Sequence, residues 1–486
     1  MHKTSQDEPL TKLTDNLKEV PFHHGISRRK ALKLIGISPI AASVIANSLP
    51  TEVQASDAKG KIVILGGGAG GIMAMARLRS ALKNPDITIV APNEIHLYQP
   101  GQVFIAAGEY EANDIEMSNK DFIPDDIKWI KDEAKNIDPD NNKIQLRNGE
   151  ELSYDYLVVA TGIQYHYERI EGLKVEDIGT NGISSVYLND LEKGTHEGGE
   201  LTHQWFKDLK KSAKEGKNPR AIYTQPNTPI KCGGAPQKIL YLSADYLKKE
   251  DLAAEFIFAT STSSLFSLKN VAEELQRTQD SYTGMSTKFR HNLIAIDVHN
   301  KIATFGHAYQ EQGEYDPDLE MYDTIDRYEK VKMEYDFIHI VPPMGPVDAI
   351  KDSKLGWQKG TAKGWLEVDK ETLQHRRYKN VFGIGDTCGI PMGKTGGSTR
   401  HHAPIVTANL IAQMEGKKLK EKFDGYTVCP LKPRYGEIIM PEFGYDGVIP
   451  SIPFWKDVSV PRYSWWIFDL YMLKPMYQHL MMRGLM

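Results

Sequence analysis

The chain has 486 residues, 41% hydrophobic and 25% charged, with a net charge of −5 and three cysteines. That length exceeds one ordinary core and points to two or three domains. The mild acidity offers no basic surface for nucleic acid, so no such partner is expected, and an odd, small number of cysteines excludes a disulfide scaffold.

Residues 1–55 read as an export segment that stands apart from the fold. Ser27-Arg28-Arg29-Lys30 is a twin-arginine sequence, Leu34 to Leu49 is weakly apolar, and Val53-Gln54-Ala55 offers small residues for cleavage. A periplasmic protein, peripheral to the inner membrane, is the expectation.

Lys61 to Leu65 has the apolar, β-branched character of a buried parallel strand, and Ile72 to Leu82 reads as a helix. Between them Gly66, Gly68 and Gly71, with Ala69 and Gly70, fill a G-x-G-x-x-G turn. Such a turn lets backbone approach a pyrophosphate at a helix N-terminus. A second strand, Ile87 to Val90, leads to Asn93 and Glu94, one of which must serve the ribose hydroxyls where an acidic residue is usual. Tyr156 to Gly162 is a buried strand whose end, Thr161 and Gly162, lets the chain cross near the dinucleotide, and Ala134 is a further cofactor candidate. Far downstream, Asn380 to Asp386 is a strand ending in Gly-x-Gly-Asp. In flavoprotein disulfide reductases such an aspartate bonds the ribityl chain, so the cofactor expected is FAD.

A second glycine fingerprint, for a nicotinamide cofactor, is missing where the second domain should carry it. Arg220 to Thr224 is a fair strand, but the sequence that follows contains Pro226, Pro229, Lys231 and Cys232 before a helix expected over Gln237 to Leu247. The neighbouring cation and helix N-terminus favour the Cys232 thiolate. Cys388, two residues beyond Asp386, should lie near the flavin, so Cys232 and Cys388 are the expected redox pair.

At Tyr98-Gln99-Pro100, Pro226 to Cys232, Ala235 to Lys238, Val341 to Met344, Trp365 to Asp386 and Asp424 to Leu431 the chain resembles the sulfide:quinone oxidoreductases, in the branch that includes the mitochondrial enzyme. The resemblance runs from about Lys61 to Met486. It implies non-covalent FAD, a Cys232–Cys388 pair that holds the substrate sulfur, and hydrogen sulfide, ubiquinone or menaquinone, and a small sulfur acceptor as partners. It places Gln99, Asp386 and Lys394 near FAD and leaves Cys429 structural. Two departures fall beside the flavin. The order is Asp386-Thr387-Cys388 where the family has Asp-Cys-Thr, and Gly396 to His402, ending in Arg400-His401-His402, replaces a run of small residues.

The resulting fold class is α/β, with two Rossmann-like domains of the flavoprotein disulfide reductase type. The expected segments are 56–170 and 331–430 for the FAD domain, 171–330 for the second domain and 431–486 for a tail. From Tyr463 onward the tail is rich in Trp, Tyr, Leu and Met, but it is broken by Pro475 and carries Asp469 and Lys474. Two amphipathic helices lying on a membrane surface are therefore expected, the alternative being a hairpin packed on the core. Two other functions fit the same motifs: the flavin subunit of a sulfide dehydrogenase that reduces a c-type cytochrome, and a flavoprotein that binds sulfur species without turnover. No metal site is expected.

Overall fold

The structure, a computed structural model, describes residues 55–189, 197–316, 321–452 and 455–486. The twin-arginine sequence lies outside the described residues.

In chain order the first unit contains β1 (Lys61–Leu65), α1 (Ala69–Ala81), β2 (Asp86–Val90), β3 (Lys128–Ile130) and β4 (Tyr156–Val159). The second contains β5 (Ile183–Ser184), α2 (Glu197–Lys214), β6 (Arg220–Gln225), α3 (Ala235–Lys248), β7 (Glu255–Thr260), β8 (Met285–Lys288) and β9 (Phe337–His339). The chain then returns to the first unit with β10 (Val381–Gly383) and α4 (Gly396–Met414). It ends with β11 (Leu431–Arg434), α5 (Tyr463–Tyr471) and α6 (Leu473–His479).

Two five-stranded sheets organise these elements, in the orders β10-β4-β1-β2-β3 and β5-β9-β6-β7-β8. Every pairing within them is parallel. A parallel sheet needs cover on both faces, which is why successive residues Ile62, Val63 and Ile64 are all fully buried. Ile62 and Ile64 pack with Ile72, Met73 and Val406. Val63 faces the other way, with Leu157, Leu366 and Val368. An antiparallel meander of His291–Asp297, Ile302–Asp316 and Met321–Glu334 lies beside the second sheet. The helix expected from Ile72 begins at Ala69, inside the glycine turn, and the one expected from Gln237 begins at Ala235.

The tail departs from the surface-lying helices expected of it. Its two short helices form, but Trp465, Trp466, Phe468, Leu470, Met476 and Leu480 are buried in the core of the second unit, together with Tyr223 and Leu240. Tyr477 and Met482 join the core of the first unit. An apolar run interrupted by a few charges reads alike for a membrane surface and a protein interior. Here Asp469, the charge that suggested a wet face, is itself buried in an ion pair with Lys432 at 2.6 Å. Among the described residues, no helix is long and apolar enough to cross a membrane.

Candidate active site

The glycine turn is built for close backbone approach. Gly66 has φ +113°, and a Cβ there would meet the Ala160 carbonyl oxygen at 2.3 Å; a Cβ on Gly71 would meet the Gly66 oxygen at 1.8 Å. At Gly68 nothing lies within 4 Å, and α1 starts there with no side-chain cap and no acidic residue in its first turn. Ala69 and Gly70 form that first turn. Its N–H groups therefore present positive partial charge to open space, as a pyrophosphate requires. Gly162, with φ +69° and open space around it, follows β4, and the Thr161 hydroxyl lies 3.2 Å from that of Thr387. Ala134 opens a separate small sheet, paired to Leu146.

The two ribose candidates differ in their surroundings. Glu94 is exposed and paired with Lys131 and Lys120. The Asn93 side-chain oxygen is buried with no hydrogen-bond partner, and a buried acceptor left unsatisfied is costly unless a ligand supplies the donor. The residues present thus fit the adenosine and pyrophosphate portions of FAD.

At the other end, β10 delivers Asp386 through the turn at Gly385, where φ is +78°. Burial raises the Asp386 carboxyl above the usual range, opposed by the charges of Lys394 and Lys231. Lys394 lies 3.6 Å over the Trp365 ring and donates to the backbone oxygens of Asp386 and Cys388, at 2.5 and 2.9 Å. It therefore ties the turn that carries the aspartate. Burial lowers its ammonium to about 8. The unusual His402 serves the same turn, since its Nδ1 accepts the Gly385 N–H at 3.1 Å. Its neighbour His401 stacks on Tyr426 with ring centres 4.0 Å apart. Burial pushes both imidazoles down to about 3, so both are neutral at physiological pH.

The thiols are arranged otherwise than the sequence suggested. Cys232 hydrogen-bonds to Cys429, not to Cys388. Cys429 comes in on the strand region just before β11, and its Sγ accepts the Gly234 N–H at 3.3 Å. A Cβ on Gly234 would lie 3.0 Å from that sulfur, so this glycine is what lets the two loops touch. Cys388 points into the core with Leu355, Leu366 and Val368, and a Cβ on Gly383 would lie 2.8 Å from its sulfur. The single-residue displacement explains the difference. Thr387 closes a single 3-10 turn, Gly385–Thr387, and faces Thr161, while the chain straightens at Cys388 and carries its side chain into the core. Burial pushes the Cys388 thiol up to about 12, which leaves it protonated and inert.

Cys232 has the opposite character. The hydrogen bond from Cys429 and the charge of Lys238 lower its thiol to about 6 despite burial. Cys429 is correspondingly held well above the ordinary range. The Lys238 Nζ donates to the Cys232 Sγ at 3.6 Å from the first turn of α3, and its side chain is buried. Lys231, the cation adjacent in sequence, points elsewhere: it donates to Gln99 Oε1 at 2.5 Å and to the Tyr165 hydroxyl. Lys231 thus links the Cys232 loop to Gln99 and, through charge, to Asp386. The buried placement of Lys238, Lys432 and Asp469 and the closeness of Cys429 to Cys232 escaped the sequence reading. Lys238 was legible in principle, since a residue on the first turn of a helix that starts behind the cysteine can reach back to it.

The pattern of the pyridine nucleotide-disulphide oxidoreductase family matches residues 60–197. The mitochondrial sulfide:quinone oxidoreductase of Dictyostelium discoideum is 38% identical over 91% of this chain and 90% of its own length. This chain belongs to the sulfide:quinone oxidoreductase family. The mitochondrial member from Mus musculus is 34% identical over 87% of this chain and 86% of its own length. The crystal structure of the Aquifex aeolicus sulfide:quinone oxidoreductase superposes with a TM-score of 0.60, at 21% identity, covering 81% of this chain and 85% of that one. As a member of this family the chain is an FAD-dependent oxidoreductase.

Proposed function

We propose that this sulfide:quinone oxidoreductase oxidises hydrogen sulfide at the Cys232–Cys429 pair and passes two electrons through FAD to a membrane quinone. The observation that carries this reading is the contact of Cys232 with Cys429 beside the buried ammonium of Lys238. When bound, FAD supplies a two-electron acceptor that a thiolate can reduce and that a quinone can reoxidise.

Turnover begins with the pair closed as a disulfide. Hydrosulfide attacks the Cys429 sulfur, the S–S bond breaks, and its electron pair leaves on Cys232. Cys232 is the better leaving group because the Lys238 ammonium stabilises its thiolate. Cys429 then carries the persulfide. A small nucleophilic acceptor takes the outer sulfur and leaves Cys429 as a thiolate. Reclosing the disulfide releases two electrons and two protons from the pair; FAD, held by the glycine turn and Asp386, would supply the electron acceptor, and a quinone would leave as quinol. Lys394 and His402 hold the backbone turn that carries Asp386 throughout.

Peripheral membrane contact suits a lipid-soluble quinone. We assign it to Val448, Val460 and Tyr463, the large apolar side chains exposed ahead of and at the start of the tail. The periplasmic location we propose rests on residues 27–55 alone; the relatives from Dictyostelium and mouse are mitochondrial.

Two measurements test this function. Under anaerobic conditions, micromolar sulfide in excess over the protein, so that a second hydrosulfide can serve as sulfur acceptor, is expected to bleach the flavin, and NADH at the same concentration to leave it yellow. The loop between β6 and α3, where a nicotinamide pyrophosphate would sit, holds Pro226, Pro229 and Cys232. Rapid bleaching by NADH would contradict the reading. Alkylation of the reduced protein supplies the second. The Cys232 rate should rise with pH through about 6 and level off above 7, because the thiolate is the reactive form and its pKa is depressed. A midpoint near 9, the value of an ordinary thiol, would mean that Lys238 and Cys429 do not set its reactivity.

A further inference from the structure

A line of buried hydrogen bonds runs from the C-terminal helix to the adenosine end of the cofactor cradle. The Tyr477 hydroxyl on α6 lies 2.5 Å from His96 Nε2. His96 Nδ1 lies 2.9 Å from the Asn119 side-chain oxygen. The Asn119 amide nitrogen donates to the Asn93 backbone oxygen at 2.8 Å, and the Asn119 backbone N–H donates to the Glu94 oxygen at 2.8 Å. His96 and Asn119 are 3% and 1% exposed, so water does not compete for these bonds.

The bonds also fix their own direction. An amide oxygen only accepts, so His96 carries its proton on Nδ1 and gives it to Asn119. Nε2 is then an acceptor and takes the Tyr477 proton. The line ends at the two features that meet the cofactor. The Asn119 amide nitrogen packs on the glycine turn, 3.3 Å from where a Cβ on Gly67 would lie. Asn93, whose backbone Asn119 holds, presents the buried side-chain oxygen that has no partner in the protein. The Tyr477 ring also packs against His96 and Tyr98, with centres 5.6 and 5.2 Å apart.

We propose that Tyr477 is a cofactor-positioning residue: through His96 and Asn119 it fixes Asn93 and the glycine turn, so that the C-terminal helix latches the adenosine half of FAD. The latch would make retention of the flavin depend on a docked C-terminus, some 400 residues away in sequence from the fingerprint it supports.

The test uses full-length, flavin-loaded protein and measures the rate at which FAD is released after dilution. Tyr477→Phe keeps the ring contacts and removes only the hydroxyl. Its release rate is expected to rise roughly five- to tenfold, the loss that one hydrogen bond with an orphaned buried partner produces. His96→Asn, which retains a group at the Nδ1 position but not at Nε2, should behave similarly. The Tyr477→Phe/His96→Asn double variant should release no faster than the faster single variant, because both changes cut the same line. Alkylation of Cys232 should be unchanged in all three. Release within about twofold of the parent in Tyr477→Phe would overturn the latch. So would rates that multiply in the double variant, or a Tyr477→Phe protein that also loses Cys232 reactivity. The proposal rests on the FAD assignment, and that assignment fails separately, if the parent protein itself carries no flavin.

Discussion

Replacing Cys429 by serine is expected to lower sulfide-dependent quinone reduction by on the order of a thousandfold, as is replacing Cys232, because each removes one of the two groups that form the covalent intermediate. Cys388→Ser should retain most of the activity. The contrast follows from surroundings. Cys429 hydrogen-bonds to Cys232, and Cys232 lies within reach of Lys238. Cys388 is 1% exposed among aliphatic side chains, with burial holding it protonated. The expected cost of Cys388→Ser is one of stability, since a hydroxyl placed there finds an apolar wall. Purified, flavin-loaded variants assayed side by side with sulfide and a soluble quinone analogue check this directly. Activity lost in Cys388→Ser and kept in Cys429→Ser would contradict the assignment.

Removing the chain from Pro461 onward is expected to abolish folding. The deleted segment buries Trp465, Trp466, Phe468, Leu470, Met476, Leu480 and Met482. At about 1.5–3 kcal/mol for each buried side chain, those seven contribute on the order of 10–20 kcal/mol before ordering entropy. That is comparable with the whole net stability of a typical domain, about 5–15 kcal/mol. The deletion also strips Lys432 of Asp469, its buried counter-ion. An unpartnered buried charge costs roughly a further 3–5 kcal/mol. The truncated protein should therefore accumulate as insoluble, colourless material. A soluble yellow protein with a cooperative thermal transition would show that the tail is dispensable to the core.

Much of this architecture could be read from the chain. The first sheet was legible because apolar strands, the glycine turn and the Gly-x-Gly-Asp end each have a local cause: β1, β4 and β10 need β-branched residues on both faces, and Gly66 and Gly71 stand where any side chain would strike backbone. The different surroundings of Asn93 and Glu94 were not legible, because they depend on which side chain a neighbouring lysine pair draws outward. The tail was misread for a related reason. A run such as Trp465 to Leu470 reports that its side chains leave water, but not whether lipid or protein receives them. Cys388 was expected beside Cys232 because adjacency to Asp386 in sequence suggests adjacency to the flavin. In the fold, Thr387 takes the facing position and the following residue turns away. Cys429 reaches Cys232 across 196 intervening positions, through a contact that only Gly234 makes possible.

The central claim is that sulfide is oxidised at the Cys232–Cys429 pair. Non-reducing peptide mapping by mass spectrometry, on resting enzyme and on enzyme quenched after one anaerobic equivalent of sulfide, tests it most directly. In the resting sample the peptides containing Cys232 and Cys429 should be joined, with or without an extra bridging sulfur atom. In the quenched sample they should be separated, with the added sulfur on the Cys429 peptide and Cys388 free in both. A link between Cys232 and Cys388, or added sulfur on the Cys388 peptide, would contradict it.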